Sequence, residues 1–344
     1  MRIPSRLFAT AFLATLGFSP ALAAGPAFVD VKNGDNANAG TGCQQTAPCA
    51  DLNTALSVIG PGGVVVVLSG GIFGPIVLNA TVTILGTDLN ELTNVIADPA
   101  AQVGCIGHLP GSCGLTNNGY GIEVAAGASD TVTLRHLAVR AAPNAPGALK
   151  LTSAGGLNLS YDVFQGGGTG VAVALYPNDN APAQVYFAFS EISGSNHTAA
   201  SGAIEVKPSG STDLNLHFNH VQVHNSAFGI RTDGSQLTGT GNHVTTLISD
   251  SEFFIFDGAA MNAFSTSGTG LVNAVFDNTR VLASPVGLKA NGPQSTVVLS
   301  NNLVSGNGTG ILATNGATMF TAGDNKVKGN GVDVSGSLTP ITLQ

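Results

Sequence analysis

The 344-residue sequence contains no tryptophan, three methionines and very few charged side chains. Only 9% of its residues are Asp, Glu, Lys or Arg, whereas soluble proteins average about 25%. Such a chain could be disordered or embedded in a membrane. However, 43% hydrophobic residues is too many for disorder, and no apolar run is long enough to cross a bilayer comfortably as a helix. The sequence is instead rich in glycine, with 46 residues, and in small polar residues. This composition is typical of many short strands joined by tight turns.

Basic residues are also scarce. The chain has 12 Lys and Arg against 20 Asp and Glu, and its net charge is -8. It contains no basic tract, no Gly-rich phosphate loop and no nucleophile elbow. Nucleic acid is therefore not expected as a partner, because its phosphates need a basic surface.

Residues 1–23 have the pattern of an export signal. Arg2 and Arg6 supply a positive start, residues 7–18 are mostly apolar, and residues 21–23 give the small-x-small sequence Ala-Leu-Ala. We predict cleavage near Ala23 and a secreted or periplasmic mature protein without a membrane span. Loss of the two arginines changes the net charge from -8 to about -10 (-8 - 2). An uncleaved anchor is the alternative interpretation.

The four cysteines are Cys43, Cys49, Cys105 and Cys113. In an exported chain they predict two local disulfides, Cys43–Cys49 and Cys105–Cys113, although other connectivities exist. Both pairs lie in loops rich in glycine and proline. No His or Cys partners stand at the spacing of a zinc finger, so no metal site is predicted.

An internal repeat organises most of the chain. A small residue followed by alternating apolar and polar residues recurs every 21–32 residues, and a second strand-like stretch follows each occurrence about fifteen residues later. Alternation with a period of two predicts strands. The first stretches are GIEV, GALKL, GVAVAL, GAIEV, GIRT, AMNAF, GLKA, GILA and GVDV, beginning at residues 121, 147, 170, 202, 229, 260, 287, 310 and 331.

Three short strands per repeat predict an all-β, single-stranded right-handed parallel β-helix of nine to ten coils, spanning residues 63–344 with a loop insertion at 88–118. Residues 24–62 are predicted to form an N-terminal segment with a capping α-helix. In that helix Asp51 caps the start, while Leu52, Ala55, Leu56 and Ile59 share one face. An antiparallel sandwich and a propeller are the alternatives.

Asparagines repeat at the spacing of a coil near the end of the sequence. Asn302 and Asn325, like Asn307 and Asn330, follow matching strands. We therefore predict a ladder of stacked amides that stabilises the coils. Glycines 306, 308 and 329 are expected at the corners, where the backbone needs unusual angles.

The N-terminal stretch FVDVKNGDNANAGTGCQQTAPCADLNTALSVIGPGGVVVVLSGGIFG resembles the opening of exported bacterial proteins of the pectin-lyase-like superfamily. The shared features are the Gly34-Asp35 and Gly40-Thr41 turns, the helix preceded by a proline, and the Gly-Gly strand. The resemblance implies a right-handed β-helix. Because this superfamily includes polysaccharide lyases, hydrolases, epimerases, esterases and adhesins, it does not imply one activity. The catalytic motifs of its polygalacturonases, pectate lyases and pectinesterases are missing.

Enzymes of this fold act on an outer face of the stacked strands, so charged side chains that point outward are candidate site residues. An outward residue two or three positions after each repeat start is predicted to lie ~4.8 Å from its equivalents in the neighbouring coils. Many members of this row are charged although the chain has few charges. The row is Glu123, Lys150, Ala172, Glu205, Arg231, Asn262, Lys289, Leu312 and Asp333.

Two adjacent coils concentrate the charges. Stacking is predicted to set Glu205 against Arg231 and Lys207 against Asp233. These four side chains are either ion pairs on a solvated sheet or the catalytic groups of a saccharide site. Lys150, Asn262 and Lys289 are the candidate ligand-binding residues.

Two functions from different classes follow. The first is a non-catalytic role in the cell envelope or outside the cell, binding a polysaccharide, a surface glycan or another surface. The alternative is a polysaccharide lyase, hydrolase or epimerase that uses the charged face.

Two other clusters of polar residues are candidate metal sites. His217, His220 and His224 are close in sequence, but a turn near Asn219 should send them to different faces. The segment with Asp30, Asp35, Asn36 and Asn38 offers oxygen ligands that could bind Ca²⁺, although its spacing does not match a known calcium loop. No cofactor is predicted beyond this weak calcium candidate.

Overall fold

A computed structural model describes residues 25–69, 75–86, 93–97, 119–141, 145–167, 170–178, 183–194, 197–198, 201–239 and 241–341. For residues 93–97 only the backbone is described. The predicted signal peptide and the predicted Cys105–Cys113 disulfide lie outside these ranges, and both stay predictions.

The described strands form three long parallel sheets with 12, nine and 10 strands, here called sheets 1, 2 and 3. The chain passes from sheet 1 to sheet 2 to sheet 3 and then begins the next coil. Since the nine strands of sheet 2 each belong to a different coil, the described residues contain nine coils with all three strands. The predicted all-β parallel β-helix is confirmed.

Sheet 1 contains β1 (Ala27–Val29), β2 (Gly63–Val67), β4 (Val82–Gly86), β7 (Thr131–Arg135), β10 (Gly156–Ser160), β13 (Ala183–Ala188), β16 (Leu214–Asn219), β19 (His243–Ser249), β22 (Leu271–Asp277), β25 (Ser295–Ser300), β28 (Thr318–Thr321) and β31 (Thr339–Pro340). Sheet 2 contains β5 (Thr93–Ala97), β8 (Leu137–Ala141), β11 (Val163–Gln165), β14 (Glu191–Ser193), β17 (Gln222–Ser226), β20 (Glu252–Phe256), β23 (Arg280–Leu282), β26 (Leu303–Ser305) and β29 (Lys326–Val327). Sheet 3 contains β3 (Ile76–Leu78), β6 (Ile122–Ala125), β9 (Leu149–Ser153), β12 (Val173–Leu175), β15 (Ile204–Val206), β18 (Ile230–Asp233), β21 (Ala259–Phe264), β24 (Val286–Asn291), β27 (Thr309–Thr314) and β30 (Val332–Ser335).

A short helix caps the first coil. Helix α1 (Leu52–Val58) begins after Asp51, whose side chain accepts a hydrogen bond of 2.6 Å from the Thr54 amide. Leu52 and Ala55 are fully buried against the core, as the helical pattern predicted. A 3-10 helix (Asn36–Thr41) precedes α1. The predicted disulfide between Cys43 and Cys49 is present.

Two predicted boundaries differ from the structure. Strand β1 pairs in parallel with β2, with Ala27 beside Val65, so the sheet begins before residue 63. The segment 88–118, predicted as a loop insertion, includes β5, which pairs with β8. Neither strand could be predicted from the repeat, because both lie outside its regular part, where the spacing between repeats does not indicate which residues pair.

The interior of the coils is filled by stacked apolar side chains. Alternate residues of each strand point inward, and equivalent positions form rows of Val, Leu, Ile and Phe along the rod. In sheet 1, Phe187 and Phe218 are buried and their ring centroids lie 4.7 Å apart. Each such side chain contributes about 1.5–3 kcal/mol through removal of its surface from water, and this continuous core holds the coils together.

A ladder of polar side chains runs along the inside of the corner between sheets 1 and 2. At five steps a side-chain oxygen accepts the backbone N–H of the equivalent residue one coil earlier. Asp162 Oδ1 accepts from the Leu137 amide at 2.9 Å, Ser251 Oγ from Val221 at 3.1 Å, and Asn302 Oδ1 from Thr279 at 2.9 Å. The other steps are Ser190, which accepts from Asp162, and Asn325, which accepts from Asn302.

Asparagine forms a second ladder at the corner between sheets 2 and 3. Asn307 is 3% exposed. Its Oδ1 accepts from the Ser284 amide, while its Nδ2 donates to the Val281 carbonyl and to Asn330 Oδ1. The predicted amide ladder is confirmed at both corners. Nearby, Gly306 and Gly329 have φ of +70° and +76°, which favours glycine at these turns.

Replacement of Asn307 should destabilise the fold. In Asn307→Ala the buried Ser284 amide loses its acceptor and the Val281 carbonyl loses a donor, at about 1–3 kcal/mol for each unsatisfied group. We expect the free energy of unfolding in urea to fall by about 2–4 kcal/mol. Asn273→Ala, at an outward position of β22, is the control and should change it by less than about 0.5 kcal/mol. Equal effects of the two substitutions would contradict the role of the ladder.

The one carboxylate in the first ladder makes stability depend on pH. Burial raises the pKa of Asp162 from 3.8 to about 8, and its Oδ2 has no hydrogen-bond partner. Between these pH values the folded protein holds a proton that the unfolded chain releases, so stability falls as pH rises from about 4 to 8.

Asp162→Asn should therefore stabilise the protein at pH 8. The new amide keeps the acceptor for Leu137. Its Nδ2 can also donate to the Leu134 carbonyl, as Asn302 donates to the Phe276 carbonyl at 2.9 Å. We expect a gain of about 1–3 kcal/mol at pH 8 and a much smaller gain at pH 4. A variant less stable than the original protein at pH 8 would refute this account.

Candidate functional site

The predicted charged row lies on the outer face of sheet 3. The strand register aligns Glu123, Lys150, Glu205, Arg231, Asn262, Lys289 and Leu312 in successive coils, with Ala174 between Lys150 and Glu205 and with Ser335 after Leu312. Most of the row is confirmed.

Two predicted members of the row, Ala172 and Asp333, are wrong. Ala172 precedes β12 and is buried, and Ala174 takes its place. Gly331 lies beside Gly308 rather than Gly310, so Ser335 pairs with Leu312 and Asp333 falls outside the row. Counting from the glycines fails at these two coils because their turns differ in length.

Both predicted ion pairs are present. Arg231 donates to Glu205 Oε1 from Nε at 2.9 Å and from the terminal nitrogen Nη2 at 2.6 Å. Lys207 Nζ lies 3.8 Å from Asp233 Oδ2, a looser pair. Tyr176 also donates its hydroxyl to Glu205 Oε2, so both oxygens of Glu205 accept hydrogen bonds from the protein.

An aromatic cluster covers this part of the sheet. Phe228 packs with Val171, Ala174 and Ala227, and two partly buried tyrosines, Tyr120 and Tyr176, lie against them. Burial, together with the charge of Glu205, raises the pKa of Tyr120 to about 12 and also raises the pKa of Tyr176. Both phenols are therefore neutral at physiological pH. The sequence pattern missed this cover because the tyrosines stand at the edges of strands.

The row divides into two parts. Lys150 pairs with Glu123 at 3.0 Å. In the strand register it is separated from Asn262 by three positions, which are occupied by Ala174, Glu205 and Arg231. The structure therefore brings Arg231, Asn262 and Lys289 together and places the predicted ligand residue Lys150 elsewhere.

A cavity of about 420 Å³ opens beside this second part, here called the sheet 3 cavity. Arg231, Asn262 and Lys289 line it. Phe228 forms an apolar wall, and its ring lies 4.1 Å from the Arg231 guanidinium carbon. His197 and Asp257 stand at the rim, with His197 Nδ1 2.7 Å from Asp257 Oδ2. The remaining lining residues are Ala227, Gly258, Ala259 and Val286.

Two groups in the sheet 3 cavity have no partner among the residues that the structure describes. Asn262 Oδ1 is buried and accepts no hydrogen bond from these residues. Lys289 forms no ion pair with any residue that the structure describes, although the other cations of the row are paired. A buried acceptor without a donor is costly, so a ligand hydroxyl that donates to Asn262 would remove that cost.

Sequence reasoning did not identify His197, Phe228 or Asp257. His197 lies in the connection between β14 and β15 and contributes to this cavity. The strand periodicity gives no register within such a connection, so the neighbours of His197 could not be predicted.

The three histidines lie on different faces, as predicted. His217 contacts Tyr186 on sheet 1, His220 stacks on Phe189 at the corner, and His224 stacks on Phe254 on sheet 2. No group of three metal-ligating side chains occurs among the residues that the structure describes.

The calcium candidate segment uses its oxygens within the protein. Asp30 accepts hydrogen bonds from the Lys32 and Asn33 amides and from Ser69, and Asp35 caps the 3-10 helix. Asn36 accepts from the Ala50 amide, and Asn38 donates to the Pro48 carbonyl. The structure accounts for these residues as a hydrogen-bonded turn, and calcium binding stays a prediction.

The two ion pairs should differ in strength. Glu205–Arg231 has two short charge-assisted hydrogen bonds beneath aromatic rings, whereas Lys207–Asp233 is a single contact of 3.8 Å. Double-mutant cycles to alanine should give a coupling energy of about 1–2 kcal/mol for the first pair. The second pair serves as the control and should give about 0–0.5 kcal/mol. Equal coupling energies would contradict this ranking.

The sequence matches no protein-family model, and no curated protein is significantly similar to it. Its structure is similar to that of pectate lyase Pel9A, with a TM-score of 0.53 and 10% identity over 88% of this chain and 78% of the lyase. A rhamnogalacturonan lyase aligns with a TM-score of 0.43 and 13% identity over 92% and 89% of the two chains. A GH136 lacto-N-biosidase from Eubacterium ramulus aligns with a TM-score of 0.35 and 10% identity over 93% and 68%. Together with the three parallel sheets, the likeness to Pel9A establishes the fold, which is a right-handed parallel β-helix.

Proposed function

We propose that this protein is an exported glycan-binding β-helix, and that the sheet 3 cavity holds a sugar unit bearing a carboxylate. The observation that carries the proposal is that one cavity contains both an acceptor, Asn262 Oδ1, and a cation, Lys289, that have no partner among the described residues.

The chemistry of the lining suits such a ligand. Sugar hydroxyls are donors for the Asn262 oxygen, and a carboxylate can pair with the Lys289 ammonium. Ala227, Phe228, Ala259 and Val286 supply an apolar wall. A volume of about 420 Å³ also lies within the usual range of small-molecule sites.

The state of Glu205 favours binding without cleavage. A general base needs a free oxygen that faces the substrate. Both oxygens of Glu205 accept hydrogen bonds, from Arg231 and Tyr176. Asp233 is paired with Lys207. Glu205 is thus better suited to holding Arg231 in the wall of the cavity, while Lys207 and Asp233 are not among the residues that line it.

Export is part of the proposal. The Cys43–Cys49 disulfide points to an oxidising compartment, and the signal pattern in residues 1–23 agrees with secretion or a periplasmic location. No helix in the described part of the chain has the length and apolar character to cross a membrane.

A second candidate function rests on the rim of the cavity. His197 Nδ1 lies 2.7 Å from Asp257 Oδ2 and its Nε2 lies 3.2 Å from Asn225 Oδ1, so the ring would be oriented as a general base once a substrate displaces Asn225. With Arg231 and Lys289 nearby, such a pair would suit a polysaccharide lyase, hydrolase or epimerase.

Binding should depend on the two available groups. We expect calorimetry with oligogalacturonates to show binding by the mature protein. Lys289→Ala and Asn262→Ala should each weaken it roughly tenfold, since a charged hydrogen bond contributes about 1.5–3 kcal/mol and a neutral one about 1 kcal/mol. Lys328→Ala is the control, because that lysine side chain is 89% exposed on the last coil. No binding of any acidic oligosaccharide, or equal losses in all three variants, would refute the proposal.

Product analysis separates the two candidate functions. If the protein only binds, prolonged incubation with the bound oligosaccharide leaves its length and saturation unchanged. Cleavage or epimerisation that disappears in His197→Ala while affinity persists would establish the second candidate instead.

A further inference from the structure

The outside of the corner between sheets 1 and 2 carries a continuous column of side chains. In seven successive coils the residue just before the polar ladder adopts a positive φ, between +48° and +58°, and is at least partly exposed. Along the rod these residues are His136, Tyr161, Phe189, His220, Asp250, Asn278 and Asn301. The first part of the column is therefore built of rings, and the second part of short Asx side chains.

The rings stack on one another. Their centroids are 5.0 Å apart for His136–Tyr161, 5.0 Å for Tyr161–Phe189 and 4.8 Å for Phe189–His220. Each inner ring therefore has both faces covered. His220 ends the stack, and its second face is turned toward the next coil, where the equivalent residue is Asp250.

A trough begins where the rings end. It has a volume of about 600 Å³ and runs from His220 along the corner of the following coils. Asp250, Asn278 and Asn301 are too short to fill the space that rings occupy in the earlier coils. The side of the trough is formed by outward residues of sheet 2 in consecutive register: Gln222, Glu252, Arg280, Leu303 and Lys326. Four coil steps give this corner trough a length of ~19 Å along the rod.

The lining is polar, held in place and balanced in charge. Asn278 donates to Asp250 Oδ1 at 2.6 Å, and Asn301 donates to Asn278 Oδ1 at 3.2 Å. Among the charged lining residues, Asp250 and Glu252 are matched by Arg280 and Lys326, and Glu252 lies 3.1 Å from Arg280. A strongly charged ligand gains little from such a surface, whereas a ligand with many hydroxyl groups meets donors and acceptors along its whole length.

A peptide fits the trough less well. The backbone groups of sheet 2 in these coils already pair with neighbouring strands, so no open edge is present for strand addition. A sugar chain needs no backbone partners, and a pyranose can place its C–H face on the open face of His220 in the position of the next ring.

We propose that the corner trough is a second carbohydrate site, which binds a neutral linear oligosaccharide along the rod axis with one sugar stacked on His220. It lies on a different sheet from the sheet 3 cavity and takes an uncharged ligand. It does not depend on the proposed function, because no residue lines both sites.

The test uses the mature protein and neutral gluco-, manno- and galacto-oligosaccharides of roughly four to six units, a length chosen to match the trough. We expect calorimetry to detect binding of at least one series. His220→Asn should weaken that binding roughly 2–10-fold, since loss of a stacking contact costs about 0.5–1.5 kcal/mol. Asparagine already occupies the same backbone conformation at Asn278 and Asn301, so the variant is expected to fold.

Matched variants distinguish this site from the others. Tyr161→Asn makes the same change inside the ring column, away from the trough, and should leave the affinity unchanged. Lys289→Ala should weaken acidic oligosaccharides only. The proposal is overturned if the original protein binds no neutral oligosaccharide at millimolar concentration, or if His220→Asn and Tyr161→Asn weaken binding equally. If Lys289→Ala does not weaken binding of acidic oligosaccharides while His220→Asn weakens binding of neutral ones, the proposed function is refuted and this inference stands.

Discussion

Backbone hydrogen bonding between equivalent residues of successive coils is the constraint on which the rest of the structure depends. Because each strand pairs in parallel and almost always in register with the strand one coil away, a side chain at a given position lies directly over its equivalents. A residue type that recurs at one position of the coil therefore forms a row of similar side chains along the rod. The apolar core, both polar ladders, the ring column and the charged row on sheet 3 are all products of this single geometric rule.

Features that repeat with the coil could be predicted, and features that occur once could not. The period of 21–32 residues was enough to predict the β-helix, the amide ladders at Asn302 and Asn307, and the pairing of Glu205 with Arg231. It failed at Ala172 and Asp333 because a turn of different length shifts the register. The tyrosine cover over Glu205 and the approach of His197 to Asp257 depend on residues outside the regular strands, whose positions no period encodes.

The scarcity of charge gives meaning to the few charges that lie on the surface. Most cations of sheet 3 pair with a carboxylate in an adjacent coil, and this pairing makes them less available to a ligand. Lys289 departs from the pattern because its neighbours in the row are an amide, Asn262, and an aliphatic residue, Leu312. A charged side chain in such a row therefore remains unpaired only where the neighbouring coils do not supply an oppositely charged residue at the equivalent position.

At the positive-φ corner the backbone conformation stays the same while the exposed side chain varies from coil to coil. An L-residue in this conformation costs roughly 1–2 kcal/mol, and the ladder residue that follows it helps to offset that cost from inside the rod. The outer side chain contributes little to this balance, since histidine, tyrosine, phenylalanine, aspartate and asparagine all occur at the same position. Evolution can therefore exchange these side chains one coil at a time without disturbing the core. A solenoid with such a corner is a scaffold on which new recognition surfaces can arise by single substitutions.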